Sequence, residues 1–89
     1  MPYIKQVDRA AIKPNLDYLL LYLNEHEYNP GLMNYIITRL VFFWWKASPQ
    51  NYATLASITG VLENVKQEMY RRLASPYEDC KKEEHGDVY

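Results

Sequence analysis

The sequence has little of what most catalytic and metal sites are built from. It contains one Cys, two His and three Gly in 89 residues. One Cys can form neither an internal disulfide nor a cysteine zinc site, and three scattered Gly do not form a phosphate-binding loop. We therefore expect no metal, no cofactor and no enzymatic activity.

Strong charge and long apolar runs are also missing. The formal net charge is −1, which argues against binding nucleic acid through bulk charge. The most apolar stretch, residues 35–45, contains Arg39 and is shorter than the roughly 20 residues of a membrane helix. Residues 1–9 carry regular charges and do not resemble a secretory signal. A soluble cytoplasmic protein, with a free thiol at Cys80, is predicted.

What the sequence has in abundance is apolar and aromatic side chains. Hydrophobic residues make up 48% of the chain, aromatic residues 15%, and nine residues are Tyr. This composition is too apolar for a disordered protein, and the length fits one domain at most. A chain of this size buries only roughly 60–65% of its unfolded surface. Its own hydrophobic core is therefore expected to be marginal.

Pro and Gly positions and helical spacing predict an all-α fold, a small three-helix bundle. Helix one is predicted over residues 14–27, because a first-turn Pro14 fits a helix start. Helix two is predicted over 32–46. Helix three, over 51–74, has its apolar residues at alternating spacings of three and four, which predicts a heptad seam formed by Leu55, Ile58, Leu62, Val65 and Met69. Glu68 stands four residues before Arg72, a favourable spacing for an ion pair.

Helix two has a rival interpretation. Residues 36–45 are rich in β-branched and aromatic side chains, which favour strands. They do not alternate with period two, and no partner strand is evident, so we prefer a helix that is apolar on nearly every face.

The chain is predicted to divide at Pro76. Residues 1–75 form the helical domain, with a short N-terminal segment before helix one, and Ser75-Pro76 is expected to end helix three. Residues 76–89 form an extended tail with five acids and two lysines. Its Tyr77, Val88 and Tyr89 leave two interpretations open: a tail docked on the body or on a neighbouring subunit, or a disordered tail.

A helix that is apolar on all faces exceeds what a small three-helix domain can bury. We therefore expect a homo-oligomer, since most soluble oligomers are symmetric assemblies of one chain; the rival is a monomer that wraps helix two at its centre. The predicted interface residues are Tyr35, Leu40, Phe42, Phe43, Trp44, Trp45, Val88 and Tyr89.

Arg and Tyr residues occur together at the end of helix three and near the N-terminus. They are Arg9, Arg71, Arg72, Tyr3, Tyr70 and Tyr77. Arg offers forked donors for phosphate and Tyr a stacking face, so these residues are candidates for binding a small anionic ligand. They also fit a protein interface, in which both residue types are enriched, or simple pairing of Arg71 and Arg72 with the acidic tail.

Six segments carry a family resemblance. They are residues 1–9 (MPYIKQVDR), 34–40 (NYIITRL), 60–63 (GVLE), 70–72 (YRR), 76–82 (PYEDCKK) and 86–89 (GDVY). The chain thereby resembles a family of small uncharacterised proteins encoded by bacteriophages and some bacteria, a domain of unknown function. The run 42–45 (FFWW) and Cys80 depart from the family pattern. The resemblance implies a role for the tail in contact or assembly, but no catalytic residues.

These observations lead to two functional hypotheses. The first is a non-enzymatic, homo-oligomeric, phage-type accessory protein in the host cytoplasm. It would bind a small nucleotide-like anion at a subunit junction and, by analogy, counter host defence. The alternative is a protein-interaction module that binds and inhibits or modulates a host or phage protein.

Overall fold

The structure is a computed structural model and describes residues 2–89. Met1, part of the opening motif, lies outside them. Helix α1 spans Gln6–Glu25, α2 spans Pro30–Ala47 and α3 spans Tyr52–Met69. A π-helical turn, Tyr70–Ala74, joins α3 to a further helix, α4, Ser75–His85. The all-α prediction is confirmed for residues 2–89, which contain no strand, and the strand interpretation of residues 36–45 is wrong.

The predicted starts of the first two helices need correction. Helix α1 begins at Gln6 and not at residue 14, so Pro14 lies inside the helix. The missing N–H of Pro14 removes one intrahelical hydrogen bond without ending the helix. Helix α2 begins at Pro30 rather than at residue 32, because Pro fits the first helical turn and the Asn29 side chain caps it, accepting from Leu32 N–H at 2.8 Å.

The predicted end of helix three and the extended tail are also wrong. Ser75-Pro76 does not stop the helix, and residues 76–85 of the predicted tail are helical. The π-turn accounts for this, because its hydrogen bonds join residues five apart instead of four just before Pro76. Pro76 then occupies the first turn of α4, where its missing N–H is tolerated. Helix α3, the π-turn and α4 follow one another without a break, and we call residues 52–85 the rod.

The helices of a single chain do not form a compact bundle. Helices α2 and α3 pack against each other, whereas α1 does not pack along any other helix in the described part of the chain. The radius of gyration is 17.0 Å, against about 12 Å for a compact domain of this length. Only Leu23 and Ile58 are buried, at 2% and 6% exposure.

The α2–α3 hairpin depends on a cap at its turn. The side chain of Asn51 accepts from Thr54 N–H at 3.0 Å and satisfies one donor that the first turn of α3 cannot pair internally. We expect Asn51→Ala to lower the free energy of unfolding by about 1 kcal/mol. Urea denaturation followed by circular dichroism, at one fixed protein concentration, measures the change.

Gln50→Ala is the matched control, because Gln50 precedes the cap and its side chain forms no hydrogen bond within residues 2–89. If both substitutions had the same effect, the capping role of Asn51 would be contradicted.

Candidate functional site

The N-terminal strap, residues 2–5, leads into α1 and bends back over α3. The first hydrogen bonds of α1 run from the backbone N–H groups of Asp8 and Arg9 to the Lys5 carbonyl. The Arg9 side chain also donates, through Nε, to the Ile4 carbonyl at 2.8 Å. Arg9 therefore holds the strap against the first turn of α1. Pro2, at the other end of the strap, lines a small apolar cavity with Val61 and Val65 of α3.

One carboxylate joins the strap to α3. The Tyr3 hydroxyl donates to Glu68 Oε2 at 2.8 Å, across 65 positions of sequence. Arg71 Nη2 donates to both Glu68 oxygens, at 3.1 and 3.2 Å. The Glu68 side chain is 23% exposed and is the most shielded member of any ion pair among residues 2–89. Tyr3, Glu68 and Arg71 together form what we call the strap junction.

The charges of the strap junction stabilise one another. The pKa of Glu68 is lowered from the ordinary carboxyl value, first by the hydrogen bond from Tyr3 and then by Arg71, with a smaller electrostatic effect of Arg72. The same carboxylate raises the pKa of Arg71. Because the folded-state pKa of Glu68 is lowered, its stabilising effect is present above 4.5 and is lost as the pH falls through the lowered value.

The expected ion pair of Glu68 with Arg72 is wrong, since Glu68 pairs with Arg71, three residues on. Positions three and four residues apart are both neighbours on a helix, so spacing alone does not choose between them. Arg72 forms no ion pair within residues 2–89.

The six candidate ligand residues separate into two groups. Tyr3 and Arg71 meet at Glu68, and Arg72 is close enough to act on its charge. Arg9 lies on α1 and holds the strap through the Ile4 carbonyl. The other two contact side chains of α4. The Tyr70 hydroxyl is 3.4 Å from Glu78, and the Lys81 ammonium lies 5.6 Å from the centre of the Tyr77 ring.

Pairing of the arginines with the acidic tail does not occur in the described chain. Arg71 is held by Glu68, and the acids of α4 pair locally, as in the 3.1 Å ion pair of Lys81 with Glu84. The Glu78 carboxylate is 3.4 Å from the Tyr70 hydroxyl and forms no ion pair with an arginine within residues 2–89.

Most predicted interface residues are exposed. Trp45 is half-buried, whereas the other seven are exposed. On α2 the Arg39 guanidinium lies over the ring of Phe43, 4.8 Å from its centre, and near that of Phe42, at 5.8 Å. Arg39, Phe42 and Phe43 form an exposed patch, which we call the α2 aromatic patch.

The described residues offer no cluster of three or more His, Cys, Asp and Glu side chains that could hold a metal ion. Cys80 is exposed, and its Sγ lies 3.8 Å from Glu84 Oε1. None of the helices in residues 2–89 has both the length and the apolar character to span a membrane.

Comparison with known families gives one match. Residues 1–88 match a family model described as a domain of unknown function, DUF6899. The chain belongs to this family. Membership in a family of unknown function was predicted from segments at both ends of the sequence, and the match over residues 1–88 confirms it. Neither a curated protein nor a solved structure matches the chain.

The strap junction makes a specific prediction about proton binding. Tyr3 contributes most to the lowered pKa of Glu68, so Tyr3→Phe should raise that pKa towards 4.5 by removing the hydroxyl donor. Carbon-detected NMR of the Glu68 carboxyl over a pH series measures the change.

Glu63 supplies an internal control in the same spectra. Its pKa is also lowered, but chiefly by the Gln67 side chain and then by Lys66. It should not respond to Tyr3→Phe. An unchanged Glu68 pKa in the variant would show that the strap does not contact α3 through this hydroxyl.

Proposed function

We propose that this DUF6899 protein is a non-enzymatic, homo-oligomeric accessory protein that acts by binding. The observation that carries the proposal is the area of surface that one chain leaves in water. A single chain exposes 8010 Å², whereas a compact monomer of 10.6 kDa exposes about 5,500 Å². The excess of about 2,500 Å² is some three times the ~800 Å² that each partner contributes to a standard interface.

The kind of surface that is exposed supports self-association. None of the residues of α2 is buried, although α2 is the most apolar helix. A monomer that wraps this helix would bury Tyr35, Leu40 and Phe43, and these are 64%, 65% and 61% exposed. Apolar patches of this extent are characteristic of interaction sites. The proposal therefore favours an assembly over a self-sufficient monomer.

The strap junction is the proposed ligand site of the assembly. Arg71 uses only Nη2 on Glu68, which leaves its other donors for a phosphate, and Arg72 is nearby. The Tyr3 hydroxyl donates to the same carboxylate, and Arg9 holds the strap to which Tyr3 belongs. A small nucleotide-like anion, completed by a neighbouring subunit, fits this chemistry. Tyr70 and Tyr77 would supply stacking faces from the rod.

The cellular setting of the proposal follows from the phage-type resemblance. We place the protein in the cytoplasm of a bacterial host, where an oligomer that sequesters a nucleotide signal would counter host defence. This extension is by analogy, and the binding proposal does not depend on it.

A second candidate function is favoured by the α2 aromatic patch. Aromatic rings with a stacked Arg are typical of residues that contribute most of the binding energy in protein interfaces. In this candidate the patch binds and modulates a host or phage protein.

A purified one-to-one complex that Phe43→Ser abolishes, and that Tyr52→Ser leaves intact, would establish this candidate function. Tyr52 is the control because it is an exposed aromatic residue outside the patch. A complex equally sensitive to both substitutions would contradict the role of the patch.

The ligand proposal is tested by thermal shift with purine nucleoside mono- and triphosphates at millimolar concentration. A ligand present at 100 times its Kd stabilises the protein by about 2.7 kcal/mol and raises Tm. We expect Arg71→Ala to abolish the rise, because Arg71 provides free donors at the strap junction.

Lys13→Ala is the matched control, since Lys13 is an exposed cation that pairs with Asp17 on α1. Inorganic phosphate distinguishes nucleotide binding from simple anion binding. If no nucleotide shifted Tm, or if Lys13→Ala and Arg71→Ala behaved alike, the ligand site would be contradicted.

A further inference from the structure

The rod extends well beyond the part of it that α2 covers. Helix α2 meets α3 around Leu55 and Ile58, where Thr38, Phe42 and Trp45 line the groove between the two helices. Farther along, within residues 62–85, no other helix packs on the rod; α4 is in contact only with the π-turn that precedes it. The distal half of the rod therefore has no helical partner in the described chain.

This distal half carries a continuous apolar line. It consists of Leu62, Val65, Met69, Leu73 and Tyr77, which are between 43% and 67% exposed. We call it the distal seam. The first three residues follow heptad spacing. The last two follow at intervals of four, across the π-turn. Because a π-turn takes more residues than an α-turn, this spacing keeps Leu73 and Tyr77 in line with Met69.

The charges along the same half divide by sign. Residues 62–72 carry three cations and two anions, whereas residues 75–85 carry two lysines and four acids. Two copies of the rod that lie side by side in opposite directions would bring the basic part of each against the acidic part of the other. Parallel copies would place like charges together. Charges that flank an apolar seam set the orientation of paired helices.

We infer that the distal half of the rod binds the distal half of a second copy of this chain, antiparallel, with Ser75 at the twofold axis, so that the two seams meet through Leu73 and Tyr77. In this register Lys66 lies level with Glu84 of the partner subunit, and Glu68 with the partner's Lys82. Leu73 lies level with the partner's Tyr77.

One further feature fits this register. Arg72 has no ion-pair partner within residues 2–89 and lies level with the partner's Glu78. The strap junction stays intact, since Glu68 and Arg71 keep their contact on the flank of α3.

The chain as a whole leaves enough surface in water for an interface of standard size. The excess surface of about 2,500 Å² per chain exceeds the ~800 Å² per partner of a stable complex. A pairing of the rods therefore leaves surface on α2 for a further contact. The inference rests on the proposed homo-oligomer and assigns one of its interfaces.

Disulfide trapping in the full chain tests the register directly. In a Cys80→Ser background, one chain carries Lys66→Cys and a second carries Glu84→Cys. Mixing the two under mild oxidation should give a crosslinked dimer, while each chain alone should give almost none, because residues 66 and 84 of one rod are about 27 Å apart. Crosslinking of the Lys66→Cys chain with itself would indicate parallel rods and overturn the inference.

Charge exchange provides a second measurement. Lys66→Glu with Arg72→Glu in one chain, and Glu78→Lys with Glu84→Lys in another, should each weaken self-association by roughly tenfold or more, because like charges then face each other. Mixing the two chains, or combining all four changes in one chain, should restore it. Sedimentation velocity measures the association, and Lys5→Glu with Lys13→Glu controls for net charge.

The outcomes separate this inference from the proposed function. Self-association that persists in every charge variant, without the mixed 66–84 disulfide, would overturn the distal interface and leave the homo-oligomer standing. A wild-type chain that stays monomeric in sedimentation would overturn both.

Discussion

The constraint on which this structure depends is the ratio of apolar side chains to the helices available to cover them. Helical rods bury apolar surface only where another surface lies against them, and one chain brings just α2 and α3 into lengthwise contact. The contact buries Ile58, and Leu23 is the other buried hydrophobic residue in residues 2–89. The remaining apolar surface must be covered by other molecules or stay in water, and the proposed assembly would cover it.

Within the chain, polar contacts fix the geometry that the small core cannot. Asn29 and Asn51 cap the two helices of the hairpin, and the Tyr3–Glu68–Arg71 junction ties the start of α1 to the far part of α3. Exposed ion pairs contribute little energy singly. Their role here is positional, since they hold the strap and the rod in one arrangement, which leaves the distal seam and the α2 aromatic patch accessible.

Much of the fold was predictable from local rules, and the errors share a physical cause. Apolar spacing and breaker residues correctly predicted α2 and α3, and the heptad seam lies on a helix as expected. The errors at Pro14 and Pro76 arose because a proline marks the start or the end of a helix in one context and is tolerated inside a helix in another. At Pro76 the π-turn makes the difference, and nothing in the local sequence signals it.

The candidate site was less predictable than the fold. Tyr3 and Arg71 were identified by residue type, but Glu68, which connects them, was paired with the wrong arginine. A contact across 65 positions leaves no trace in spacing along one helix. The excess of exposed surface could be expected from composition, but its distribution along the rod required the structure.

The central claim is that the functional unit contains more than one chain. Size-exclusion chromatography with multi-angle light scattering, over a dilution series from about 100 to 1 μM, measures the molar mass directly. The account predicts a mass that is a whole multiple, two or greater, of 10.6 kDa at the upper end of this range. A mass of 10.6 kDa throughout, with helix content unchanged, would contradict it.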